Sequence, residues 1–386
     1  MPTISNAPSG ENSSPTGTEK IALSGSQWAS LTTLRAWMKT FFDTLYATGA
    51  YPTGHLHGLT LSNDGTDPTN DLDIAAGNCR DDTDAQNMVL DSALVKKIDA
   101  AWAVGTNDGM LDTGTVSGWS STVTMTIASP CVVTWNSHPL AAGDKVVFAT
   151  TGALPTGLTA GTTYYVISAG LTASAFEISA TPGGAAINTS GSQSGTQTVH
   201  TEKTYHIYQI LRSDTGVVDI LASLSASSPT MPASYDYKRR IGSIIWRAGA
   251  IKPFVQNGDK FMWSTPVADV SDTNPGTSAL TKTFTVPFGI KVDAILSIQG
   301  TGTANTDLPG AIYFSDLDGA DVAPSGANGA YDLLVSSSAA SVSIGAITQV
   351  MTNASAQVRM RVQTSTASTV VRAAVLGWID TRGRLQ

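Results

Sequence analysis

Gln357-Val358-Arg359-Met360-Arg361-Val362-Gln363-Thr364 alternates without a break: Val358, Met360 and Val362 fall on one side, Arg359, Arg361 and Gln363 on the other. Successive side chains of a strand point to opposite faces, so this stretch reads as a strand with one dry and one wet face. Working outward, Thr283 to Val286, Ile290 to Ile298, Ala311 to Phe314, Asp332 to Ser336, Val342 to Ile347 and Thr369 to Ile379 are further strand candidates. Residues 266–386 are therefore expected to form an antiparallel β-sandwich, jelly-roll-like in spirit. Its chain ends in a short basic tip, Arg382-Gly383-Arg384.

Upstream, residues 116–199 stand apart. Their only formal charges, His aside, are Asp144, Lys145 and Glu177. Strand candidates recur at Val123–Ile127, Cys131–Trp135, Lys145–Ala149, Thr163–Ser168 and Ala175–Ser179, punctuated by Gly and Pro. A small β-sandwich or barrel is expected, with Asn188 to Thr198 as a Ser/Gly/Gln/Thr linker. Alternation resumes at Thr204–Leu211 and Val217–Leu224, Arg240–Arg247 and Lys252–Val255 read as further strands, and Gly58–Ser62 and Asp71–Ala75 precede the insert as short strands. One β domain, 51–115 plus 200–265, is thus read as interrupted by the insert. Within it, Asn63-Asp64-Gly65 signals a turn, and Met88 to Ile98 reads as a strand followed by a turn of helix.

Residues 24–50 carry the one helical pattern. Leu31, Leu34, Met38, Phe41 and Leu45 step by three and four, and Trp28, Trp37, Phe42 and Tyr46 widen the apolar face. A single helix packing on its own domain explains the stripe; so many aromatics favour a bundle of identical helices, an oligomerisation element. Residues 1–23 are rich in Pro, Ser, Gly and Asn, the composition of a tail that orders only on a partner.

Charged residues make up 13% of the chain, the net charge is −8 and the pI is about 5.0. Such a low charge share suits an assembled, hydroxyl-rich surface better than a free cytosolic enzyme, and the acidic balance argues against nucleic acid as partner. The one basic cluster, Lys238-Arg239-Arg240, reads as a solvated turn. Only Glu11, Glu19, Glu177 and Glu202 are glutamates, and the remaining acids are Asp, a turn residue. Cys79 and Cys131 read as two buried thiols. Neither a signal peptide nor a run long enough to span a membrane is visible.

Two stretches carry a resemblance. Gly143-Asp144-Lys145-Val146-Val147-Phe148, continuing through Thr151-Gly152-Ala153-Leu154-Pro155-Thr156-Gly157-Leu158-Thr159-Ala160-Gly161-Thr162-Thr163-Tyr164-Tyr165-Val166 to Phe176-Glu177-Ile178-Ser179, resembles a small β module that recurs in phage tail, fibre and baseplate proteins. Leu56-His57-Gly58-Leu59-Thr60-Leu61-Ser62-Asn63-Asp64 and Asn70 to Gly77, taken with Tyr205-His206-Ile207-Tyr208, Gly216 to Ser223 and Arg239 to Ser243, look like a domain of phage tail-fibre and virion structural proteins. The resemblance implies a homotrimeric virion fibre or spike, made in the host cytoplasm. Residues 1–23 would attach to another virion protein, and the distal C-terminal unit would meet a host surface glycan or protein. A capsid or neck decoration is the alternative within the structural class.

A glycan-degrading tailspike is the alternative across classes, and needs two positioned carboxylates. Asp81/Asp82/Asp84, Asp269/Asp272 and Asp316/Asp318/Asp321 are the available sets, read as ordinary loop chemistry. No catalytic residue, cofactor or metal is expected. His55-Leu56-His57 has metal-like spacing, but structural histidines are the preferred reading, and the Asp316 loop lacks a calcium-loop pattern. Among aromatics of the distal unit, Tyr331 in Asn328-Gly329-Ala330-Tyr331 is the candidate glycan contact, with Trp263, Tyr313 and Trp378 read mainly as core.

Overall fold

The computed structural model describes residues 20–23, 27–30, 51–113, 120–247, 249–303, 305–327, 329–335 and 342–384. It divides into two compact units, residues 1–53 and 54–386. In the first, β1 (Lys20–Leu23) and β2 (Gln27–Ser30) form an antiparallel hairpin in which Leu23 pairs with Gln27 and Lys20 with Ser30. This corrects the helix expected over 24–50 at its start. The link Ser24-Gly25-Ser26 is turn-forming in composition, and the hairpin gives the backbone groups of 27–30 cross-strand partners. The stripe Leu31, Leu34, Met38, Phe41 and Leu45 lies outside the described residues, as does most of the tail 1–23.

The second unit is mainly β, with one short 3-10 segment at Asn305–Asp307 among its described residues. It opens with β3 (Leu56–Gly58), β4 (Leu61–Asn63), β5 (Asp71–Ile74), β6 (Gly77–Arg80), β7 (Asn87–Leu90), β8 (Leu94–Ala101) and β9 (Asp108–Leu111). β5 shows why these are strands: Leu72 and Ile74 are buried, while Asp71 and Asp73 between them are half-buried. The turn after β4 closes as an Asx turn, with the Asp64 carboxylate accepting the N–H groups of Thr66 and Asp67 at 2.7 Å each. β8 is a strand where a helical turn was expected. Lys96 faces inward with Ile98, and its ammonium meets Asp219 at 3.1 Å, with both side chains almost wholly buried. An inward lysine imitates a polar face and hides the period of two.

The insert comprises β10 (Ser120–Met125), β11 (Val132–Thr134), β12 (Lys145–Thr150), β13 (Thr163–Val166), β14 (Ala175–Ser179) and the start of β15 (Gln197–Arg212). Pairing runs β10–β11–β14–β13–β12–β15 and returns from β15 to β10, antiparallel at every step. Six strands thus close into a barrel, which leaves no sheet edge open. It has its own core, including Val133, Trp135, Phe148, Tyr164, Phe176 and Ile178. Cys131 lies in that core and Cys79 in the larger one, both as free buried thiols. Asn188–Thr198 is not a free linker. Thr189 donates to the Thr126 carbonyl and Gln193 to the Met125 carbonyl, each at 2.8 Å, and Ser190 and Ser194 bridge Thr156 and Ala153.

β15 leaves the barrel and continues into the main sheet, where residues 203–212 pair with β16 (Val217–Ser223) and β17 (Tyr237–Arg247). Lys238-Arg239-Arg240 therefore sits inside β17, not in a solvated turn. Next come β18 (Ala250–Ile251), β19 (Phe254–Asn257), β20 (Lys260–Thr273), β21 (Leu280–Thr283), β22 (Asp293–Gly302), β23 (Gly310–Ser315), β24 (Leu333–Val335), β25 (Val342–Met351), β26 (Gln357–Val362) and β27 (Val370–Ile379). One layer runs β20–β27–β22–β25 and the other β21–β26–β23–β24. A Cβ at Gly300 would lie 2.7 Å from Val335 and 2.9 Å from Ile312, so the layers touch where only glycine fits. In β26, Val358, Met360 and Val362 are buried and the residues between them are half-buried.

A boundary at 265/266 cuts through β20, which pairs with β27 from Lys260–Ile379 to Thr273–Val370. The C-terminal sandwich accordingly shares a single core with residues 56–111 and 205–251. Phe261 stacks on Trp378 at 5.0 Å between centroids, and Trp263 packs on the same ring at 4.7 Å. Each buried aromatic contributes roughly 2–3 kcal/mol of hydrophobic stabilisation.

Candidate functional site

Two charged clefts flank the strands that carry the chain out of the barrel. The first, about 780 Å³, is bounded by barrel residues Thr163 and Tyr165, by Arg247 and Lys252, and by Asp269, Asp272 and Lys282. Glu202, on the strand that feeds both barrel and main sheet, supplies the charge behind it. The Lys145 ammonium lies 2.9 Å and the Arg247 guanidinium 3.4 Å from its carboxylate, and its side chain is 4% exposed. Burial alone would raise the Glu202 carboxyl; Lys145 and then Arg247 reverse this and hold it below the usual range. Arg247 also donates to the Gly161 carbonyl at 3.0 Å.

Asp269 behaves differently. Desolvation pushes its carboxyl up to about 6, against the pull of hydrogen bonds from Thr285. The Thr285 N–H and hydroxyl reach its two oxygens at 2.6 and 2.9 Å. Lys252 lies 4.8 Å from the Trp263 ring centre, a cation–π contact, and burial lowers its ammonium. Two carboxyls held at different pKa values beside a cleft are the raw material of acid–base chemistry. Here, however, Glu202 is closed by two cations, and both Asp269 oxygens are occupied.

The second cleft, about 440 Å³, is lined by Tyr208, Arg239, Arg240, Lys291, Arg382 and Arg384 with Asp82, Asp84 and Asp380. Arg240 grips Asp380 through two hydrogen bonds, at 2.5 and 2.9 Å. It also donates to the Ser243 hydroxyl, which meets Nδ1 of His206 at 2.9 Å. His206 is fully buried, and desolvation followed by the Arg240 charge lowers its pKa to about 4. Arg382 and Arg384 both bind Asp259, with Arg382 at 2.9 Å. The basic tip expected at the C-terminal end is therefore clamped, with Arg382 only 4% exposed.

Tyr331 lies in its loop at 39% exposure and lines neither cleft. Trp263 and Trp378 are core, and Tyr313 is half-buried in β23. His55 hydrogen-bonds Asn78 at 2.6 Å, while His57 is exposed. Among the described residues, no three His, Cys, Asp or Glu side chains converge as a metal set. Asp269 and Asp272 lie in β20 rather than a loop, and Asp81 is fully buried, its carboxylate accepting from Thr83 and Gln86 backbone N–H groups. Of the cleft residues, the sequence offered Asp269 only as loop chemistry and Arg382 only as part of a basic tip, and it did not single out Glu202 or Arg247 as site residues. The available signal is a charge placed within an otherwise apolar alternation. No protein-family model, curated protein or solved structure matches the chain.

Proposed function

We propose that the chain is a structural subunit of a phage fibre or spike that recognises a host surface, with no catalytic step. One observation carries this reading. The two separated stretches that resemble a fibre domain meet in one core, although the barrel divides them in sequence. Leu61 and Ile74 belong to the same cluster as Ile207, Ile220 and Ile241. Gly242 approaches Leu61 so closely that a Cβ there would lie 2.7 Å from its methyl. A self-closed barrel carried on an extended strand suits a decoration or spacer module. The polar first cleft at its root suits a surface ligand, since such sites commonly measure 300–1,000 Å³.

In this reading the chain is trimeric, residues 1–23 attach it to the virion, and the sandwich faces the host. Labelling particles for this chain and imaging them tests the placement; absence from the particle would refute it. Sedimentation of the full chain tests the trimer, for which a monomer would be fatal. Deleting residues 1–20 is expected to abolish incorporation while leaving the trimer intact. Asp269, titrating near neutral beside an open cleft, is the feature that favours a glycan-cleaving spike. New reducing ends on incubation with host polysaccharide would establish that reading in place of ours.

A further inference from the structure

We infer that the cleft lined by Arg239, Arg240, Arg382 and Arg384 is a binding site for a singly charged carboxylate, of the kind an acidic saccharide presents. The carboxylate site stands on its own geometry; its saccharide source rests on the reading above.

Arg239 is 3% exposed, and among the described residues no carboxylate lies within ion-pair distance of it. Its one hydrogen bond runs from Nη1 to the Asp81 carbonyl at 3.3 Å, leaving Nε and Nη2 without a partner. The Asp81 carboxylate is committed to Thr83 and Gln86. Arg382, 4% exposed, leaves Nη1 unbonded and shares Asp259 with Arg384. Two nearly buried guanidinium groups that line one cleft therefore hold three nitrogens without a partner, each of them closed to solvent. A buried, unpaired charge costs several kcal/mol, and an anion offsets that cost. The planar guanidinium fork matches a carboxylate in two-point contact. Asp82, Asp84 and Asp380 share the lining, so a second negative charge on the ligand is repelled. That selects a carboxylate over a phosphate dianion. Arg384, with its side chain 31% exposed, is the outermost of the four arginines; it holds Asp259 together with Arg382 and donates to the Thr381 carbonyl at 3.2 Å.

Titration calorimetry of the full chain with sodium glucuronate, acetate, glucose and inorganic phosphate at constant ionic strength tests this. Saturable binding of glucuronate, weaker binding of acetate and none of glucose are expected. R384Q, at an exposed side chain, should keep the wild-type melting temperature and weaken glucuronate about tenfold to a hundredfold. R239Q should do the same if it folds, and R212Q, at a remote exposed ion pair, should change nothing. No saturable glucuronate binding, equal binding by R384Q, or phosphate binding as tightly as glucuronate would each overturn the assignment. Acetate binding as tightly as glucuronate would overturn the saccharide source alone. Glucuronate binding by a chain absent from particles would leave the site standing and remove the fibre reading.

Discussion

The two clefts bury charge in opposite ways. In the first, two buried cations share one acid, Lys145 and Arg247 closing on Glu202, while Lys252 stacks on the Trp263 ring. In the second, Arg240 closes on Asp380, but Arg239 has no acid and Arg382 must share Asp259 with Arg384. Closed charges behave as structural cross-links, here tying the barrel to β17. Open charges are a standing cost, retained where something else supplies the counter-ion.

Substitution separates the two cases. E202Q should have the largest effect, because it strands two cations at once; a loss of about 3–5 kcal/mol is expected, read by urea unfolding with Trp135 in the barrel core as reporter. A loss below about 1 kcal/mol would mean the first cleft is not closed in this sense.

pH provides the next contrast. Asp269 binds its proton more tightly folded, at about 6 against 3.8, so its contribution is present below 3.8 and lost as pH rises through 6. His206 binds its proton less tightly folded, at about 4 against 6.5, so its contribution is present above 6.5 and lost as pH falls through 4. Each amounts to at most about 3 kcal/mol, and over the shared window they oppose each other. D269N should therefore lose stability more steeply than wild type on acidification from neutral pH. H206Q should gain stability over the same range. Denaturant melts at several pH values check both, and parallel profiles in wild type and variants would refute the opposition.

Smaller effects sharpen the comparison. R239M should be neutral or mildly stabilising without ligand, since it removes a charge that has no partner; destabilisation comparable to E202Q would show that Arg239 is closed after all. Y331A, at an exposed loop side chain outside both clefts, should leave the unfolding free energy within about 0.5 kcal/mol of wild type. Cell-binding assays with the same variant test its role as a glycan contact.

Much of the strand inventory was legible because alternation is a local signal. Gln357–Val362 and Ala175–Ser179 need only their own residues to be read. The failures have equally local causes. Lys96 and Arg239 point inward on strands, so each breaks the apolar–polar rhythm that reveals burial. The stripe beginning at Leu31 suggested a helix reaching back to Ser24, yet Gln27–Ser30 gains its partners from Lys20–Leu23. A linker composition over Asn188–Thr198 gave no hint that its hydroxyls and amides would lace onto the barrel.

The sequence by itself therefore determined that this chain is built of short, mostly antiparallel strands with a poorly charged insert, because side-chain period and composition are properties of consecutive residues. Only the tertiary structure decided that the insert closes into a six-stranded ring, that β20 joins the sandwich to the central core, and which acid meets which cation. Those outcomes depend on pairings between residues far apart in the chain, such as Ser120 with His200, Lys145 with Glu202 at a separation of 57 and Arg240 with Asp380 at a separation of 140. Backbone hydrogen bonding and desolvation select such partners, and neither leaves a mark on the neighbouring residues in sequence.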